Sequence, residues 1–221
     1  RDWVSGTVYD QYDDGYTTTN TASSGATSLA ASLFYVMTSD FNVYKCIENH
    51  SGGQSIRKPT STGSEVFELN DGYKWKYLYT IPTGLKNKFF TDAYMPVIRD
   101  TTVLNNSTDG RIDIVQILDG GTFYFRGSSQ TLYDANTTVT GDGTGASLRY
   151  TVTNGVITDV NILNGGNNYT TATITLNDPL QTQGVGTDAN LRVVISPQNG
   201  HGYDPVREIG ASSQMISVDF D

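Results

Sequence analysis

The chain has 221 residues and a formal net charge of −9, with 14 Lys and Arg against 23 Asp and Glu and a pI near 4.5. Nucleic-acid binders draw most of their affinity from phosphate contacts and carry a basic footprint, so this balance points away from that class. No run approaches the roughly 18 apolar residues of a membrane-spanning helix. A single cysteine, Cys46, excludes an internal disulfide framework and any multi-cysteine metal site.

The 23 Gly and 14 Tyr, with dense Thr, Asn and Asp, predict many short strands joined by tight turns, because Gly, Asn and Asp tolerate the positive φ of hairpin turns. The expected fold is mainly β: a hairpin-rich, antiparallel, sandwich-like body with little helix. Residues 23–33, "SSGATSLAASL", form the one helix candidate of the first part, a Ser or Thr cap before an Ala and Leu run. "SLFYVM" and "FNVYKCIEN", separated by "TSD", predict a hairpin in which Val43, Lys45 and Ile47 share one face and Tyr44 and Cys46 the other. "EVFELNDGYKWKYLYTI" predicts a second hairpin turning at Asn70, Asp71 and Gly72. Its second strand, at a period of two, sets Tyr73, Trp75, Tyr77, Tyr79 and Ile81 on one face. A short helical turn is expected around "GLKNKFF".

The middle of the chain repeats. "VQILDGGTFY" (115–124) and "VNILNGGNNY" (160–169) share V-x-I-L-[DN]-G-G-x-x-Y, and "GTGASLR" (143–149) and "GTDANLR" (186–192) share G-T-x-A-x-L-R in the same order. Two small β modules are expected, about 110–153 and 155–196, joined through an Asn154-Gly155 turn. They form an insertion (101–197) in a β body made of 1–100 and a return at 198–221. The run "ASSQMISVDFD" is expected to resume strand pairing. The start without Met and the strand-like stop are those expected of a piece of a longer polypeptide whose terminal segments are missing.

Chemistry-bearing residues are sparse. The only histidines, His50 and His201, lie in glycine-flanked loops, and a structural hydrogen-bonding role is expected of both. No nucleophile elbow, P-loop or dinucleotide fingerprint occurs. Asp10, Asp13 and Asp14 lack EF-hand spacing and read as an acidic turn. Cys46, inside "VYKCI", reads as a buried thiol. No cofactor, metal or catalytic group is expected. The ring row of "DGYKWKYLY" reads as core or subunit interface, since aromatic rings bury large apolar areas while their hydroxyls reach polar partners.

The blocks "RDWVSGTVYDQYDD", "FYVMTSDFNVYKCIEN", "KPTSTG", "DGYKWKYLYTIP", "KFFTDAYMPV" and "GHGYDPVREIGA" resemble the successive motifs of a baseplate wedge protein of contractile-tailed, T-even-like bacteriophages. They cover about 1–99 and 197–221. The resemblance implies a non-enzymatic, mostly β structural protein of the virion tail baseplate, a homodimer that also contacts other wedge proteins, made in the bacterial host cytoplasm. On that reading Trp3, Tyr9, Tyr44, Tyr73, Trp75 and Tyr77 are packing or interface residues, with Gly202 and Pro205 in a fixed turn beside them. The rival reading is a carbohydrate-binding adhesin in which the two repeats present Tyr124 and Tyr169 to a host glycan. A third, a polysaccharide hydrolase, requires two carboxylates facing one groove.

Overall fold

The computed structural model describes residues 1–122, 124, 131–133, 137–176 and 186–218. The protein is mainly β, with several antiparallel sheets and few helices. It divides into two compact units, Arg1–Ser107 with His201–Asp221, and Thr108–Gly200. The divisions fall a few residues beyond the expected 100/101 and 197/198. Helix α2 (Thr101–Asn105) belongs to the first unit: the Asp100 carboxylate accepts the N–H groups of Thr102 and Val103, and the cap turns Val103 fully inward.

The first unit is built on a four-stranded sheet in the order β1 (Tyr35–Met37), β2 (Asn42–Asn49), β4 (Tyr73–Thr80), β3 (Val66–Glu68). Both expected hairpins form, β1 with β2 and β3 with β4, and the pairing of β2 with β4 joins them. Tyr44 faces Tyr77, and Cys46 faces Trp75. Two β-bulges interrupt this ladder, at Ile47 and at Leu78. The second corrects the ring row. Tyr79 pairs with Val43, the residue just before Tyr44, so the extra residue moves Tyr79 off the face of Tyr73, Trp75 and Tyr77. Tyr79 packs instead with Val43, Leu78 and Ile81.

The helix candidate at 23–33 shrinks to one 3-10 turn, Leu29–Ala31, whose N-cap Ser28 makes no side-chain capping bond. The turn around "GLKNKFF" is helix α1 (Thr83–Phe89). Past Gly200 the chain re-enters the first unit through helix α3 (Pro205–Glu208), with Pro at its start and the Asp204 carboxylate accepting the Arg207 N–H. The alternating run from 211 is corrected too: residues 211–218 pair with no strand among the described residues and are exposed. Alternation marks a segment able to pair, but an edge to pair with has to be supplied elsewhere.

The second unit contains β5 (Ile112–Asp119), β6 (Thr131–Tyr133), β7 (Thr137–Gly141), β8 (Thr144–Thr153), β9 (Val156–Asn167), β10 (Ala172–Leu176) and β11 (Asn190–Ile195). Parts of both repeats, 125–130, 134–136 and 177–185, lie outside the described residues. The two repeats are not consecutive modules. The first strand of the first half, β5, pairs with the last strand of the second, β11; β9 pairs with β8, and β10 with β7. Ile112, Val115, Leu148, Tyr169 and Ile195 form one buried cluster drawn from both halves. The Asn154-Gly155 turn, with φ of 53° and 81°, connects them as a two-residue hairpin.

Candidate functional site

Five aromatic residues of the first unit, Tyr9, Tyr44, Tyr73, Trp75 and Tyr77, assemble on one face of β4. Tyr73 and Trp75 stack at 5.5 Å between ring centroids, and Tyr9 meets both edge-on, at 6.4 and 5.7 Å. Tyr44 meets Tyr77 edge-on at 5.8 Å. All five rings are buried. The N-terminal segment is fastened to this face. The Tyr73 hydroxyl donates to the Gly53 carbonyl and accepts the Tyr9 N–H, the Tyr9 hydroxyl donates to the Val4 carbonyl, and Trp3 Nε1 donates to Ser55 Oγ at 3.0 Å. Burial pushes the Tyr44 and Tyr73 hydroxyls up to about 12. These rings are interior packing, with no open face for a ligand to stack on.

The other face carries a charge pair that the sequence hides. Lys45 lies one residue from Tyr44, and its side chain is 1% exposed; Nζ meets Glu208 Oε2 at 2.8 Å. The same ammonium stands 3.9 Å from the centre of the Tyr12 ring. Glu208 Oε1 accepts the Gly202 N–H at 2.6 Å, and the Tyr35 hydroxyl donates to the Glu208 carbonyl. Burial first, then the Glu208 charge, pushes the Tyr35 hydroxyl far above its ordinary value. Gly202 is required here: its φ is +81°, and a Cβ would stand 2.5 Å from Val103 Cγ1. Pro205 is buried in α3, and His201 lies edge-on to Tyr12 at 4.7 Å. A lysine between Val43 and Ile47 on an apolar strand face is a readable sign of a buried cation. Nothing in "GYDPVREIG" marks Glu208 as its partner.

In the second unit the repeat motif builds the same corner twice. Gly121 and Gly166 have φ of +62° and +65°; a Cβ on either would stand 2.6 or 2.5 Å from the carbonyl oxygen of Thr187 or Thr144. Their N–H groups are received by the Asp119 and Asn164 side chains, which explains Asp or Asn before Gly-Gly. The repeat tyrosines close each corner across the halves: Tyr124 Oη accepts the Ala189 N–H at 2.8 Å and Tyr169 Oη the Ala146 N–H at 3.4 Å. Tyr124 and Tyr169 are buried, at 1% and 4% exposure, so the expected presentation of these two rings to a glycan is corrected. A tyrosine next to Gly-Gly folds back over the glycines, which leave room for it.

The scarce chemistry-bearing residues are spread out. Asp10 is buried and bonded to Ser24 and Leu33, and Asp13 to Gly15 and Asn20. Burial pushes the Cys46 thiol well up, away from thiolate chemistry. His50 takes a left-handed conformation (φ 51°) with its ring against Gly72, beside an open hollow. Among the described residues no group of three His, Cys, Asp or Glu is placed to hold a metal ion, and no helix is long and apolar enough to cross a membrane. No family model, curated protein or solved structure matches the chain.

Proposed function

We propose that this chain is a structural subunit of a bacteriophage tail baseplate wedge, holding neighbouring wedge proteins in fixed geometry during assembly and sheath contraction. One observation carries the reading. The sequence blocks that resemble the wedge family, far apart along the chain, converge inside the first unit: Trp3 and Tyr9 from the first block, Lys45 from the second, Tyr73 and Trp75 from the fourth, His201 and Glu208 from the last. What those blocks specify is thus a buried interior fastened by hydrogen bonds and a charge pair, which supports a part that works by holding its neighbours in place. Homodimerisation and contacts with other wedge proteins belong to the same proposal. The test is the composition of purified particles. Tails dissociated to isolated baseplates contain the chain at a fixed, symmetry-related copy number if the reading is right. Its recovery only on fibres, or only in the infected-cell lysate, overturns it.

A further inference from the structure

The two outer edges of the first unit's sheet differ. On the β1 side the N-terminal segment closes the ladder: the Met37 N–H donates to the Arg1 carbonyl, the Trp3 N–H donates to the Met37 carbonyl, and Asp2 bridges to Met37. On the β3 side Val66, Phe67 and Glu68 pair with β4, and among the described residues no other strand joins them. A strand paired on one side turns alternate N–H and C=O groups outward, where a further strand can add. Beside this open edge lies a hollow of about 590 Å³. Ile56 and Leu69 are its apolar lining, Glu68 and Asp71 its carboxylates, and among the described residues no lysine or arginine lines it. Its walls are set in advance. Asp71 Oδ2 accepts the N–H groups of Ile56 and Arg57, both at 2.8 Å, which fixes Ile56 in place although it is 55% exposed. His50 and Ser51 hold left-handed φ of 51° and 54°, conformations kept only where the surroundings over-determine them, and the Asn49 side chain contributes by accepting the Gly52 N–H. Glu68 is exposed, and Lys74, which faces it across the ladder, pairs instead with Glu48 at 2.6 Å.

We propose that this edge and hollow receive an extended, arginine-bearing segment of a different protein. Its backbone pairs with β3, while the arginine lays its stem along Ile56 and Leu69 and its guanidinium against Glu68. Strand addition takes affinity from main-chain hydrogen bonds and specificity from the side chain that finds a pocket. An aliphatic stem suits the apolar wall, and a guanidinium meets a carboxylate through two parallel bonds. Charge selects the occupant. A second copy brings a net charge of −9, and the chain's own unpaired run from 211 carries "VDFD" and no cation, so both meet Glu68 and Asp71 with like charge. A carboxylate on an open edge repels acidic strands and admits a basic one. That the segment belongs to a neighbouring wedge protein rests on the proposed function; the site itself rests on the geometry of the first unit alone.

The test is fluorescence anisotropy on the purified whole chain, with short end-blocked peptides of alternating valine and threonine that differ in their central residue. The arginine peptide is expected to bind. Binding is expected to weaken by about tenfold or more for the glutamate peptide, for an arginine peptide whose pairing amides are N-methylated, and for the arginine peptide on Glu68→Lys. Glu68 is exposed, so the variant keeps its fold, which a thermal melt checks, and it is expected to gain affinity for the glutamate peptide. An arginine peptide that fails to bind at about 1 mM overturns the proposal, as does a glutamate or N-methylated peptide, or Glu68→Lys, within about twofold of the reference affinity. A peptide of residues 211–221 that binds more tightly than the arginine peptide also overturns it, because the edge then takes the chain's own strand. The two readings fail separately. A chain present in baseplates at fixed copy number that does not bind the arginine peptide loses only this site, and one that binds the peptide but is absent from baseplates loses only the baseplate reading.

Discussion

Replacing Glu208 by Ala removes the counter-charge of an ammonium that is 1% exposed and takes the acceptor from the Gly202 N–H in the same step. Breaking a buried pair from one side costs about 3–5 kcal/mol, because the remaining charge stays desolvated. The Tyr12 ring, 3.9 Å from Nζ, offsets part of that, on the order of 1–2 kcal/mol. The expected loss is therefore about 3 kcal/mol, or roughly 10 °C in the melting temperature of a unit this size. The assay is differential scanning calorimetry of the whole chain, in which the two compact units allow two transitions and only that of the first unit should fall. Lys45→Met in the Glu208→Ala background should recover at least half of the loss, since an apolar isostere leaves no charge to desolvate. A drop below about 2 °C, or a double variant no more stable than Glu208→Ala, would refute a buried pair holding the C-terminal return in place.

Three further outcomes follow from the same geometry. Gly121→Ala and Gly166→Ala should each lower the second transition by about 2 kcal/mol or more, through positive φ and close carbonyl contact, whereas Gly6→Ala, with φ +81° and open space around it, should cost only about 1 kcal/mol. Tyr124→Phe and Tyr169→Phe each leave an alanine N–H without its acceptor, an expected loss of about 1–2 kcal/mol read by urea unfolding of the second unit. Above pH 10 the unfolded chain loses tyrosine protons that Tyr44 and Tyr73 keep until about 12, so it binds fewer protons than the folded chain. Stability contributed by these rings is then complete below pH 10 and lost between 10 and 12. A melting temperature of the first unit that stays flat across that window, in a series buffered at constant salt, would contradict their burial.

Local pattern carried part of this structure, and pairing partners carried the rest. The hairpins of β1 with β2 and β3 with β4 follow from alternation and from turn residues such as Asn70, Asp71 and Gly72. The position of Tyr79 does not, because a bulge is a property of two strands together: one extra residue at Leu78 reverses the face of everything after it. The exchange of strands in the second unit is likewise invisible in the repeat, since V-x-I-L-[DN]-G-G specifies a corner and not which half completes it. The helix expected at 23–33 failed because its alanines and leucines have no buried face to cover, and propensity alone does not hold so short a helix. Among the packing residues, Tyr9, Tyr73 and Trp75 were legible as an aromatic interior, whereas Glu208 sits in a Gly and Pro context that gives no sign of a buried carboxylate.

The central claim, a structural part of a baseplate wedge, is tested most directly by deleting the gene from the phage that carries it. Particles grown with and without complementation are then imaged by electron microscopy. The account predicts filled heads lacking assembled baseplates and tails, restored by the complementing gene. Complete tails that fail to adsorb to cells would contradict it and make the chain an adhesin.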